Sequence, residues 1–392
     1  MRVYFDYNAT TPLAPAVRDA MVTAIDATYG NASSVHHFGQ QAKAAIDDAR
    51  SALARLINAE PSEIVFTSGG TEADNFAIRG VADALEQTPR RHLVASAIEH
   101  EAVLNTLKAL SRRGWRVSLV PVDASGVVSV DAVRAALTDE TALVSVMHAN
   151  NEIGTIQPIA AIAEAAHARG ALMHTDAVQS AGKIPVDVRA LGIDLLSLSA
   201  HKFNGPKGAG ALWIKRGTRL QPTMTGGKHE RNRRAGTENV PAIVGMGVAA
   251  ELALSKIAAE GARLAALRDR LETGILAAVP GTAINGARDA RVPNTTNISF
   301  DRVEAESLLI ALDLEGIAVS TGSACSSGTL EPSHVLRAMG LPPHRTQNSL
   351  RFSLGLFSTD AEVDRVVEVL PRLVEKLRGL TSHKPQVASH KS

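Results

Sequence analysis

The sequence predicts an α/β protein with a parallel sheet in one domain and a second domain after it, smaller than the first or comparable to it. Two observations predict this. From about residue 60 to 215, short β-branched or apolar runs alternate with Ala-rich stretches of helical period. After a long helical stretch from about Val240 to Val279 the pattern changes. The length agrees, since 392 residues exceed what one ordinary core organises.

The candidate strands end in polar residues. Ile64-Val65-Phe66-Thr67 runs into Ser68-Gly69-Gly70-Thr71, and Leu143-Val144-Ser145-Val146-Met147 into His148-Ala149-Asn150-Asn151. Ala171-Leu172-Met173-His174 meets Thr175-Asp176, and Leu195-Leu196-Ser197-Leu198 meets Ser199-Ala200-His201-Lys202. Ligands of open α/β sheets bind beyond the carboxyl ends of the strands, so these tips should share one crevice. The Val240–Val279 stretch reads as a hinge or strut between domains. Asn297-Ile298-Ser299-Phe300 and Gly316-Ile317-Ala318-Val319 read as strands of a second sheet, and Ala361 to Leu377 as a helix. The polar tail from Thr381 to Ser392 lacks periodicity and reads as disordered.

Lys+Arg 41 against Asp+Glu 40 leaves a formal charge of +1 and no general electrostatic reason to expect nucleic acid or an anionic membrane as partner. The run Arg231-Asn232-Arg233-Arg234 has no interleaved aromatic and reads as a solvated loop. It leads into Gly236-Thr237, which could serve an anion. The N-terminal residues lack a signal peptide's apolar region, and no stretch approaches the roughly 20 unbroken apolar residues of a bilayer span. The one cysteine, Cys325, can form neither an internal disulfide nor a thiolate metal site alone. The expectation is a cytoplasmic protein without a metal.

Each chemical motif carries a bland reading beside a sharper one. Ser68-Gly69-Gly70-Thr71-Glu72 opens a helix after a strand: an ordinary turn, or a phosphate cradle of free N–H groups and the Thr71 hydroxyl. Lys202 alone reads as a solvated lysine. At a strand end, partly neutralised by desolvation, it could form a Schiff base. Asp176 reads as a cap or turn residue, or as the carboxylate that keeps a pyridine nitrogen protonated, with Gln179 able to reach the same side. His100 is either structural or a ring-stacking proton carrier. Asn150-Asn151-Glu152-Ile153-Gly154 reads as a turn. Arg351 alternates with apolar neighbours like a strand residue facing a cleft, where it would clamp a carboxylate or form a structural ion pair. Cys325 lies within Gly322-Ser323-Ala324-Cys325-Ser326-Ser327-Gly328, a composition suited to an exposed, mobile loop and a nucleophilic thiol rather than a core residue.

Together these segments resemble the fold-type I pyridoxal-phosphate enzymes of the class V aminotransferase family, and within it the group I (NifS/IscS-type) cysteine desulfurases. The resemblance runs from Tyr4-Phe5-Asp6-Tyr7-Asn8-Ala9-Thr10-Thr11 to about Val367. It rests on Gly-Gly-Thr-Glu, Asn-Asn-Glu-x-Gly, His-Thr-Asp-Ala-x-Gln, Ser-x-His-Lys and Ser-Ala-Cys-Ser-Ser-Gly in the family's order. Ala200 stands where many members have Gly.

The resemblance implies a large domain, residues 15–258, with a mostly parallel seven-stranded sheet. It implies a smaller α+β domain, residues 1–14 and 259–380, carrying the cysteine loop, with 381–392 as the tail. It further implies pyridoxal 5'-phosphate held by Lys202, Asp176 on the ring nitrogen, Gln179 on the ring oxygen and His100 stacked on the ring. Gly70, Thr71, Ser199 and His201 would hold the phosphate, with Thr237 reaching across from the second subunit of a homodimer. Asn151, also counted at the cofactor, and Arg351 would hold the substrate carboxylate, and Cys325 would take sulfur from L-cysteine as a persulfide, releasing alanine. Group I members pass that sulfur to iron–sulfur scaffold proteins or thiolation pathways. The alternative is a selenocysteine lyase or related C–S lyase.

Overall fold

The computed structural model describes residues 2–322 and 332–382. The strands are β1 (Val3–Tyr4), β2 (Ile64–Thr67), β3 (His92–Ser96), β4 (Arg116–Val120), β5 (Thr141–Ser145), β6 (Leu172–Asp176), β7 (Leu195–Ser199), β8 (Gly210–Ile214), β9 (Thr282–Asn285), β10 (Thr295–Phe300), β11 (Ile317–Ala318) and β12 (Ser349–Ser353). Runs such as Leu195-Leu196-Ser197-Leu198 lack polar alternation because helices cover both faces of their sheet, and every residue of β3, β5, β7 and β8 is buried. The edge strand β4 instead exposes Arg116 and Leu119.

These strands form a seven-stranded sheet in the order β2-β8-β7-β6-β5-β3-β4. All pairings are parallel except those of β8, which is antiparallel to β2 and β7. From β3 the chain moves outward to β4 and then returns to the other side of β3 as β5. A crevice therefore opens at the carboxyl ends of β3 and β5.

A separate core gathers Val3, Phe5, Ile298, Phe300, Leu308, Phe352 and Leu370. The helix Val240–Ala278 connects the two cores. Its first part, including Ile243, Met246 and Ala250, is buried in the large core, whereas Leu264, Leu267, Leu271 and Ile275 belong to the second. The helix is long and apolar enough to cross a membrane by composition, but both its ends are packed within this fold. It matches the predicted strut.

Two expectations need correction. The two C-terminal strand candidates do not share a sheet: β10 lies between β9 and β12, whereas the two-residue β11 pairs in parallel with β1. The last helix spans Asp360–Ser382, two residues into the predicted tail, and residues 383–392 lie outside the described ones.

Candidate active site

Strand ends, helix starts and the N-terminal segment enclose a cavity of about 380 Å³. The helix Gly70–Leu85 begins at its wall with Gly70 and Thr71, and no side chain caps it. Asp176 is the last residue of β6, and Gln179 follows one turn later. Ser199 ends β7, and His201 and Lys202 follow in a short 3-10 turn. His100 caps the helix Glu101–Ser111, its Nδ1 accepting the Ala102 N–H at 3.1 Å. Asn151 lies after β5, and β12 places Arg351 opposite.

All the predicted residues therefore converge except two. Thr237 is exposed and does not line the cavity of its own chain. Cys325 lies outside the described residues, but Ser320 and Gly322 on the N-terminal side of its segment line the cavity. Ser333, on the far side, donates to the buried Glu152 at 2.5 Å. The Asn150 amide is the turn-former of its segment, accepting the N–H groups of Glu152 and Ile153.

The basic run departs from its solvated reading only in its second half: Arg231 and Asn232 are exposed, whereas Arg233 and Arg234 are half-buried. Arg234 pairs with Glu72 at 2.8 Å, and Glu230 just before the run is buried in a two-point bond with Arg50. Glu72 facing Arg234 and Arg50 facing Glu230 hold the loop to the elements around the seven-stranded sheet.

Several residues at the site carried no sequence signal of their own. The N-terminal segment turns beneath Lys202, whose Nζ donates to Asn8 O at 2.6 Å and Ala9 O at 2.8 Å. Asp6 accepts from Arg351 at 2.6 Å, and the Asn151 carbonyl accepts from the same guanidinium at 3.1 Å. Lys183 reaches Gln179 Oε1 at 2.6 Å and Asn8 Oδ1 at 3.0 Å.

Burial, with the Arg351 charge next, lowers the Lys202 ammonium to about 8. Burial also lowers His201 to about 4, so its ring is neutral at pH 7. Burial raises Asp176, opposed by His100, the Val178 N–H and Lys202. Beneath it burial pushes Asp74 well up, the Asp176 charge adding to the effect, and Asp74 Oδ1 has no hydrogen-bond partner among the described residues. This acid-rich floor favours a cation against Asp176.

The chemistry of this donor set fits pyridoxal phosphate. An uncapped helix start beside Ser199 and His201 suits a dianion. A Cβ at residue 70 would lie 2.8 Å from Val178 Cγ2, so glycine keeps the approach open. Asp176 can hold a protonated ring nitrogen, and Lys202 offers an amine of lowered basicity. The fold and the site thus define a Schiff-base enzyme of the pyridoxal-phosphate class.

Comparison with known proteins narrows the class. The family model "Aminotransferase class-V" matches residues 3–366. The chain is 49% identical to a protein of Dictyoglomus turgidum named cysteine desulfurase IscS, over 98% of this chain and 97% of that one. It is 50% identical to one of Nostoc sp. named cysteine desulfurase, over 97% and 95% of the two chains. Among solved structures, a NifS-like protein superposes with a TM-score of 0.88 at 37% identity, covering 98% of this chain and all, 100%, of the other. The chain belongs to the class-V aminotransferase family, and its cofactor is pyridoxal 5'-phosphate.

Proposed function

We propose that this chain is a cysteine desulfurase that takes sulfur from L-cysteine, releases L-alanine and carries the sulfur as a persulfide on Cys325. One observation carries the reading: Lys202, Asp176 and Arg351 line a single cavity whose wall at Ser320 and Gly322 leads into the segment bearing the chain's one cysteine. Three residues of chain from Gly322 to Cys325 reach about 10 Å at most, enough to bring the thiol over the cavity. The names of the relatives support the same activity.

Gly70, Thr71, Ser199 and His201 would hold the cofactor phosphate, Asp176 its ring nitrogen and Gln179 its ring oxygen. Thr237 would join the phosphate from a second copy in a homodimer. Asn151 lies at both cofactor and substrate. Bound pyridoxal phosphate supplies an electron sink for the charge that develops beside the substrate amino group. Arg351 and Asn151 orient the substrate carboxylate. Lys202 is neutral often enough near pH 8 to remove the α-proton. His100, whose Nδ1 is held by the Ala102 N–H, keeps Nε2 for proton exchange. The Cys325 thiolate attacks the substrate sulfur. The new S–S bond uses the thiolate's electron pair, while the C–S pair stays with the β-carbon, which takes a proton to become the methyl group of alanine.

The same reading makes residues 15–258 the large domain and 1–14 with 259–380 the small one. A single cysteine, unable to form an internal disulfide, fits a reducing compartment and supports the cytoplasm, and sulfur-acceptor proteins such as an iron–sulfur scaffold or a thiolation enzyme would be its partners. The test is turnover of L-cysteine with a reductant. Equal amounts of alanine and sulfide are expected from the wild type, and none from Cys325→Ala, which should still bind the cofactor. Full sulfide release by Cys325→Ala would overturn the persulfide assignment.

A further inference from the structure

The strongest unassigned feature is a lysine that the reaction above does not use. Lys183 is half-buried, and one flank borders a separate, largely apolar cavity of about 440 Å³. Its Nζ nevertheless turns toward the active site, donating to Gln179 Oε1 at 2.6 Å and Asn8 Oδ1 at 3.0 Å. Burial and then the charges of Lys202 and Arg351 drive its pKa well down. Both forms of the amine can make these two donations, so the geometry does not require charge.

An amide side chain has two nearly isosteric ends, and only its partners decide which faces a ligand. A lysine next to Gln179 resolves the choice, because in this arrangement it donates to the amide. Gln179 Nε2 is thereby turned the other way, where one of its hydrogens goes to Asn8 O at 3.0 Å. The second has no acceptor among the described residues, and Gln179 lines the active-site cavity. Asn8 is fixed in the same manner. Its Oδ1 accepts from Lys183 and Asn294, and its Nδ2 donates to Asn151 O and Thr295 Oγ1. The backbone N–H of Asn8 in turn donates to Ser353 Oγ at 2.9 Å, so both the side chain and the backbone of the residue whose carbonyl receives Gln179 are held.

We propose that Lys183 is a positioning residue that locks the Gln179 amide with its N–H toward the ring oxygen of the cofactor. This rests on the placement of Gln179 in the proposed function, and the experiment separates the two. Cofactor-free full-length protein is titrated with pyridoxal 5'-phosphate and with its 3-deoxy analogue, which lacks the ring oxygen, and both dissociation constants are read from intrinsic fluorescence.

The wild type should prefer the natural cofactor by about tenfold, the worth of one hydrogen bond to a charged oxygen. Gln179→Leu should abolish that preference. Lys183→Met should abolish it too, leaving affinity for the analogue within twofold of the wild type, and the double variant should be no worse than either single one. Equal weakening toward both ligands, or none toward either, in Lys183→Met overturns the inference. A preference that survives in Gln179→Leu overturns the placement of Gln179 itself. Lys183→Arg supplies a head that can only donate, and the adjoining cavity gives it room. It should retain the preference, and its loss in folded Lys183→Arg overturns the proposal even if Lys183→Met does not fold.

Discussion

Cofactor-free protein carrying Lys202→Met should be more stable than the wild type at neutral pH, and the advantage should fade as pH rises. In the fold, burial and then Arg351 lower Lys202 from 10.5 to about 8. Its donors meet two carbonyl oxygens, Asn8 O and Ala9 O, and no carboxylate. A fall of about two and a half pH units at about 1.4 kcal/mol each amounts to about 3.5 kcal/mol, or about 2 kcal/mol once solvent in the cavity is allowed for. Below pH 8 the lysine is protonated in both folded and unfolded chains, and the fold bears this cost in full. Between pH 8 and 10.5 the unfolded chain binds more protons, so wild-type stability rises with pH. Above 10.5 both states are neutral and the cost is gone. Urea unfolding of the two proteins from pH 7 to 10, plotted as their difference, cancels the other titrating groups. The difference should shrink by most of its neutral-pH value. A flat difference would mean that Lys202 titrates in the fold as it does in the unfolded chain, and the burial argument for its reactivity would fail.

Two further outcomes follow from the geometry. Arg351→Lys loses a planar, two-pronged donor while keeping the charge, so KM for L-cysteine should rise about 10- to 100-fold with a smaller change in kcat, measured by alanine release. Glu230→Gln leaves the buried Arg50 with only the exposed Asp47 at 3.7 Å in place of a carboxylate whose two oxygens now sit at 2.7 Å, and should cost about 3 kcal/mol in chemical denaturation.

Much of the large domain was legible because strands covered on both faces must be apolar throughout, and their polar ends then mark the crevice. That reasoning placed Gly70, Thr71, Asp176, Ser199 and Lys202 together without knowledge of contacts. The role of Asn8 was not legible. It meets Lys202 across 194 positions of sequence, and no local pattern encodes such a pairing. The second sheet was misread for a related reason: two-residue strands such as β11 carry too little periodicity to show their partner, which here is the N-terminus. The Arg231–Arg234 run looked solvated because the acid that pairs with Arg234, Glu72, is supplied by the fold across 162 positions rather than by a recognisable ion-pair spacing.

The N-terminal segment explains how one site obtains both a cationic clamp and a weakly basic amine. Val3 and Phe5 are buried in the second core, Asp6 meets Arg351, and the Asn8 and Ala9 carbonyls meet Lys202. Asp6 is the acid on this segment, and its charge raises the basicity of Lys202. Its 2.6 Å bond to Arg351 holds that carboxylate on the guanidinium, leaving the amine neutral oxygens as direct acceptors. Arg351 therefore acts on the lysine twice, once through its own positive charge and once by engaging the nearest acid of this segment. On the proposed function a substrate carboxylate at Arg351 would compete for the same guanidinium, and substrate binding and the basicity of Lys202 would then be linked through Asp6.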